Sequence, residues 1–255
     1  VGTINNVGAS TVASGAADGA QVQSQQSLLP GGDDSEWELG EAADSKNGKW
    51  HRYGTGPENE IVYEAGPFGD TVKVWKSVTN DAGTTDGGFS ARSHKFPYDE
   101  NAIYRFTVFQ KASAKSGTMY WQCTAYTSDG ENVSEFDGTG NSTNKAWHSG
   151  DLPETDRWYL FVGYLNPNGT SVNSGKGGLY DVLTGERVIA DNDLRVNAAG
   201  VTHWAPRAVH FNEPAGGDDV TIRWALPRVE RMDRPHPSIM QLLANDSSVL
   251  NREVS

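Results

Sequence analysis

The sequence predicts an all-β protein, a jelly-roll-like antiparallel β-sandwich with an extended N-terminal arm and a short C-terminal helix. Three observations predict it. The run Trp158-Tyr159-Leu160-Phe161-Val162-Gly163-Tyr164 is dominated by aromatic and β-branched residues, as a strand covered on both faces requires. The stretch from Gly178 to Ala190 reads as strand, turn, strand, with Thr184-Gly185 in the turn. The composition has 8 Trp and 29 Gly against 1 Cys, which suits a sandwich with long loops and no disulfide framework.

Residues 1–35 are mostly Ala, Gly, Ser, Gln and Asn. They cannot bury much apolar surface alone, so they read as an extended arm or docking segment held by a neighbour. The sandwich is expected over 36–235. Trp37, Trp50, Tyr53, Ile61-Val62-Tyr63 and Thr71-Val72-Lys73-Val74-Trp75-Lys76 begin it as short strands, and 81–90 is a turn-rich loop. In Ala102–Lys111 the apolar Ile103, Phe106 and Val108 do not share one parity, which predicts a strand with two covered faces. A Ser/Gly turn then leads to the strand Met119–Tyr126. Asp129–Lys145 and Asn166–Lys176 are long polar loops, of a length usually tied to function. Val201–Phe211 and Val220–Val229 are the last strands, separated by a Gly216-Gly217-Asp218-Asp219 turn. Over 236–255 the sequence predicts a short helix, Ile239–Ala244 capped by Ser238, and a polar tail. No repeat of roughly 20–50 residues is present, which argues against a solenoid or propeller.

The 255 residues suffice for one large sandwich or two small domains. The net charge of −12 argues against nucleic acid and against an anionic membrane surface, since both need a basic face. No stretch approaches the roughly 18 apolar residues of a membrane span, so no membrane insertion is expected. Cys123 lies in a strand pattern and reads as a buried, inert thiol.

Sandwiches with aromatic-rich loops point first to carbohydrate binding, in which ring faces meet sugar C–H groups beside amide, carboxylate or hydroxyl partners. Trp147 and His148 end a Gly/Asn/Ser loop and are the leading candidates, with Tyr126, Tyr164 and Trp204 at strand ends. The competing reading folds Trp147 under its own loop. Trp75, Trp121, Trp158 and Trp224 are mid-strand and expected in the core. Asp129, Glu131, Glu135 and Asp137 with Gly130 and Asn132, and separately Asp191-Asn192-Asp193, have donors that suit Ca²⁺. Their spacing is not that of an EF-hand, and solvated acidic loops with no metal or cofactor are the expectation. Six histidines show no zinc spacing.

Catalytic signatures are missing: there is no Gly-x-Ser-x-Gly elbow, P-loop or dinucleotide fingerprint. Ser134-Glu135-Phe136-Asp137-Gly138 holds two of the three acids of a sandwich hydrolase strand, and Arg92, His94 and Tyr98 are the residue types a polysaccharide lyase uses. Nothing further selects either set, so no enzyme is expected.

The order of Tyr104–Phe109, Gly117–Cys123, Trp147-His148-Ser149-Gly150-Asp151-Leu152-Pro153, Trp158–Tyr164 and Gly177–Asp181 with Thr184-Gly185, closing on Pro235-His236-Pro237-Ser238-Ile239, resembles a β-sandwich domain of tail-fibre, spike and other appendage proteins of bacteriophages and phage-like particles. The resemblance covers roughly Ile61–Leu243 and supplies no catalytic residues. It implies a non-enzymatic protein of the virion surface, hence extracellular, that touches host-surface glycan through loops 129–148 and 166–177 and contacts other virion subunits. By analogy with fibres it implies a homo-oligomer, a trimer. Rival readings are a carbohydrate-binding module of a secreted polysaccharide-degrading enzyme, a purely structural virion subunit, and a lyase or hydrolase.

Overall fold

The computed structural model describes residues 50–54, 58–78, 87–115, 118–133, 145–167, 175–191, 193–211, 220–234 and 236–244. The arm, the Trp37 region, Glu135, Asp137, Asn192 and the C-terminal tail lie outside these residues. In chain order the described elements are β1 (His51–Arg52), β2 (Asn59–Ala65), β3 (Thr71–Val78), β4 (Gly88–Ser90), β5 (Phe96–Pro97), β6 (Tyr104–Ala112), β7 (Thr118–Thr127), β8 (Asn132–Val133), β9 (Lys145–Gly150), β10 (Tyr159–Asn166), β11 (Gly178–Asp181), β12 (Arg187–Ala190), β13 (Leu194–Arg195), β14 (Val201–Phe211), β15 (Thr221–Arg231) and the helix α1 (Ile239–Leu243).

The strands form two sheets. The first runs β1-β4-β14-β7-β8, with β5 added to β14 and β9 to β7. The second runs β12-β11-β10-β6-β15-β3-β2, with β13 added to β10. The short β10–β13 pairing is parallel; the long strands pair antiparallel. This is the antiparallel sandwich expected from the sequence. In both sheets a late strand lies at the centre: β14 between β4 and β7, and β15 between β6 and β3.

Period-two alternation decides which side chains meet between the sheets. Trp75, Phe89, Phe106, Trp121, Phe161, Trp204 and Trp224 fill that space. Trp121 stacks on Phe161 with centroids 5.3 Å apart, and Phe89 meets Trp224 edge to face at 5.8 Å. The indole N–H of Trp121 donates to Gln110 Oε1 on the opposite sheet.

The second sheet is covered on its outer face as well. Val74, Phe109, Leu160, Val162 and Tyr164 pack there with Leu242 and Leu243 of α1. This explains the mixed parity of β6: Tyr104, Phe106 and Val108 face the first sheet, while Phe109 faces the helix. The helix start follows its capping residues. Gln241 N–H donates to Ser238 Oγ at 3.1 Å, and Ser238 N–H donates to Gln241 Oε1 at 2.9 Å. Beneath the segment before α1, Glu230 holds two buried arginines, Arg105 at 2.5 Å and Arg228 at 3.2 Å, and Arg105 also donates to the Pro237 carbonyl at 2.6 Å.

Trp158 departs from expectation. It precedes β10, is half-buried on the outer side, and lies under the Lys111 ammonium at 5.2 Å. Trp75, Trp121 and Trp224 are core residues.

Candidate functional site

The outer face of the first sheet is the part of the fold where aromatic, amide and cationic groups converge. Along β7, Trp121, Cys123 and Ala125 enter the core, so Tyr120, Gln122 and Thr124 alternate to the other side, while Tyr126 near the strand's end also joins the core cluster. The register sets Tyr120 opposite Val209, Gln122 opposite Arg207 and Tyr126 opposite His203. Gly88 and Ser90 of β4 continue the rows beside Val209 and Arg207. Gly88 is required there: with φ of 115°, a Cβ on it would stand 2.3 Å from the Ala208 carbonyl oxygen.

Three rings gather at one end of this face. Phe211 meets Tyr53 edge to face at 5.8 Å and Tyr120 at 5.4 Å, and all three are half-buried. Arg207 lies over the Tyr53 ring at 5.2 Å and donates from Nε to Gln122 Oε1 at 2.6 Å. Arg207 is 3% exposed. Burial pulls its pKa below the usual arginine range; Tyr53 opposes this, and nearby Arg92 adds to it by like-charge repulsion. At the other end, the Lys95 ammonium sits 3.9 Å from the Tyr126 ring centroid. The Tyr126 hydroxyl is buried without a hydrogen-bond partner. Arg92 is exposed, and Lys95 and His203 are half-buried. The result is a floor of buried Arg207 and Gln122 with a rim of rings and cations.

The residues singled out from the sequence sit elsewhere, or deeper. Trp147 is 5% exposed, in contact with Phe106, Phe161 and Trp204, and its indole N–H donates to the Tyr164 carbonyl at 2.7 Å. It is the extra residue of a β-bulge: Trp121 pairs with His148, but Gln122 with Ala146. The bulge turns Trp147 into the sandwich, and Gly163 makes room for it, since a Cβ there would stand 2.7 Å from the indole. Trp204 is wholly buried between Phe96, Tyr104 and Trp147. Tyr164 is 4% exposed under α1, where Arg105 binds it. All three are thus placed among core side chains, where the sequence had allowed surface positions.

Tyr126 is also buried, at 2%, yet it borders the face just described. The His148 ring packs tilted against Trp121 at 5.2 Å, and its Nδ1 pairs with Asp191 Oδ1 at 2.8 Å. Its Nε2 is buried without a partner. The five candidates therefore do not form one site.

The acidic loop residues within the described part act locally. Asp129 accepts from the Thr127 hydroxyl, which holds its carboxyl below the usual range, and both close the turn between β7 and β8. Among the described residues no group of three or more His, Cys, Asp or Glu side chains is placed to hold a metal ion. Of the lyase-type trio, Arg92 and His94 are exposed and Tyr98 is half-buried beside Tyr104. Only Arg92 borders Arg207. Sequence reading missed Tyr53, Tyr120, Phe211, Gln122 and Arg207. Their strand alternation was legible, but which parity faced outward depended on the pairing of the sheets.

No family model and no curated protein matches the chain. Several solved structures do. An exo-β-agarase resembles it at 13% identity and a TM-score of 0.45, over 81% of this chain and 26% of that one. The enzymatically active domain of tailspike protein 4 of bacteriophage CBA120 resembles it at 8% identity and a TM-score of 0.39, over 78% and 22%. A carbohydrate-binding module of the β-sandwich superfamily does so at 10% identity and a TM-score of 0.35, over 78% and 64%. The chain thus spans about a quarter of the length of the agarase and tailspike chains.

Proposed function

We propose that this chain is a non-catalytic glycan-binding sandwich carried on the surface of a phage or phage-like particle, with the outer face of the first sheet as its contact surface. One observation carries the reading. Tyr53, Phe211 and Tyr120 stand together on the side of the sheet away from the core, beside the Gln122 amide and the Arg207 guanidinium. Rings offer apolar faces to sugar C–H groups, and the amide and guanidinium donate to sugar oxygens. A shallow site of this kind binds weakly alone and gains strength from repetition on a particle. The appendage setting and the homotrimer rest on the sequence resemblance.

Binding of the full chain to an array of bacterial and algal polysaccharides tests the proposal. Tyr53→Ala and Tyr120→Ala should each weaken binding about tenfold, a loss of roughly 1.4 kcal/mol, with the unfolding temperature little changed. Retention of full affinity in both variants would remove this face from the site. Release of new reducing ends from the bound polymer would overturn the non-catalytic reading. Detection of the chain on purified particles, and trimer mass in solution, test the setting.

A further inference from the structure

Three arginines are buried in the described fold: Arg105, Arg207 and Arg228. Two of them share the Glu230 carboxylate. Arg207 has none. Among the described residues its partners are the Gln122 carbonyl oxygen and Tyr53, both neutral. A buried charge without a counter-charge costs several kcal/mol, and proteins ordinarily pair such groups.

The same face adds two more cations. Arg92 stands close enough to Arg207 to repel it, and Lys95 lies over Tyr126. Neither forms an ion pair with a carboxylate among the described residues. Lys76–Glu60, Arg157–Glu154, Arg223–Glu64 and Arg231–Asp99 lie on or beside the second sheet, and His148–Asp191 lies at the β9 edge of the first, away from Arg207 in the strand order. The chain has 33 acidic residues against 21 basic ones, yet among the described residues none pairs with Arg207, Arg92 or Lys95. The Gln122 bond to Nε also fixes the plane of the guanidinium, whose fork matches a planar carboxylate.

We infer that Arg207, with Arg92 near it and Lys95 at the other end of the same face, is a carboxylate-reading subsite, and that the glycan taken by this face is acidic, a polymer of uronic or otherwise carboxylated sugars. The inference rests on the glycan-binding reading above. The cations offset the repulsion that a net charge of −12 would otherwise exert on such a polymer.

The test compares binding of the full chain to polygalacturonate and alginate, to the same polymers after reduction of their carboxyl groups, and to dextran sulfate. Carboxyl reduction should weaken binding at least tenfold. Arg207→Gln should weaken polyuronate binding about 10- to 100-fold. Because Arg207 is buried, the rim variant Arg92→Ser/Lys95→Ser serves beside it: it should fold normally, bind polyuronate several-fold more weakly, and show a shallower dependence on salt. Equal binding of reduced and unreduced polymers, or unchanged affinity in the rim variant, would overturn the acidic-sugar assignment and leave the glycan reading standing. Preference for dextran sulfate would overturn the carboxylate and leave an anion site. Failure to bind any polysaccharide, here and on the array, would overturn both.

Discussion

The slot that Gly163 provides for Trp147 makes a quantitative prediction. Trp147→Ala removes a nearly buried indole that touches three aromatic rings, and leaves the Tyr164 carbonyl without its donor. A loss of about 3–5 kcal/mol follows, which lowers the unfolding temperature by roughly 6–20 °C for a chain of this size. Gly163→Ala in the native background drives a methyl to 2.7 and 2.9 Å from indole carbons and 2.9 Å from Phe161 Cζ, where something must shift. Overpacking of this kind costs about 1–3 kcal/mol. In the Trp147→Ala background the indole is gone and one contact remains, while alanine gains about 0.5–1 kcal/mol over glycine in a strand. The second substitution should then be close to neutral. A double-mutant cycle by urea unfolding should return a coupling of about 1–3 kcal/mol. Additivity within about 0.5 kcal/mol would refute the slot, and with it the account of why Trp147 is not on the surface.

Glu230→Gln leaves Arg105 and Arg228 without their shared counter-charge and should cost about 3–5 kcal/mol by thermal denaturation, whereas Glu60→Gln, at the exposed Lys76 pair, should change stability by less than about 1 kcal/mol. Cys123 is fully buried and burial raises its thiol pKa, so a thiol reagent should label it only after denaturant is added; rapid labelling of the native chain would contradict its position. The Asn101 N–H and the Arg231 guanidinium hold the Asp99 carboxyl below its usual range. A carboxyl lowered in this way adds stability above its unfolded pKa and loses it as the pH falls through the folded value. Asp99→Asn should therefore flatten the acid limb of the stability profile below about pH 4, and an unchanged limb would count against the contact.

Much of the fold was legible because period two leaves a mark wherever one or both faces are buried. The β6 parity, the β7 and β10 runs, the Gly178–Ala190 hairpin and the Ser238 cap all follow from local pattern. The site was not legible, for a physical reason. A Trp in a polar stretch reads as exposed when only its chain neighbours are counted, but Trp147 is buried by residues 14 to 57 positions away, through a bulge that no local pattern announces. Gly163 inside an aromatic strand was the one available signal, since a glycine there marks a close approach. Tyr120, Gln122 and Arg207 alternate as any strand residues do. Their meeting needs the pairing of β7 with β14, some 85 residues apart in the chain.

The placement of β14 and β15 also bears on how the chain is made. These two strands bridge the halves of their sheets, β4 to β7 in one and β6 to β3 in the other, and they are synthesised after every other described strand. Until residue 231 has emerged, the earlier strands exist as separate ribbons with open edges and no partner to complete the core. Folding of the sandwich must wait until β15 has been made, and such non-local pairing is slow. A premature stop or a proteolytic cut before Arg231 would therefore remove the middle of a sheet, not a dispensable margin, and the product would aggregate through its unpaired edges instead of persisting as a smaller, working module.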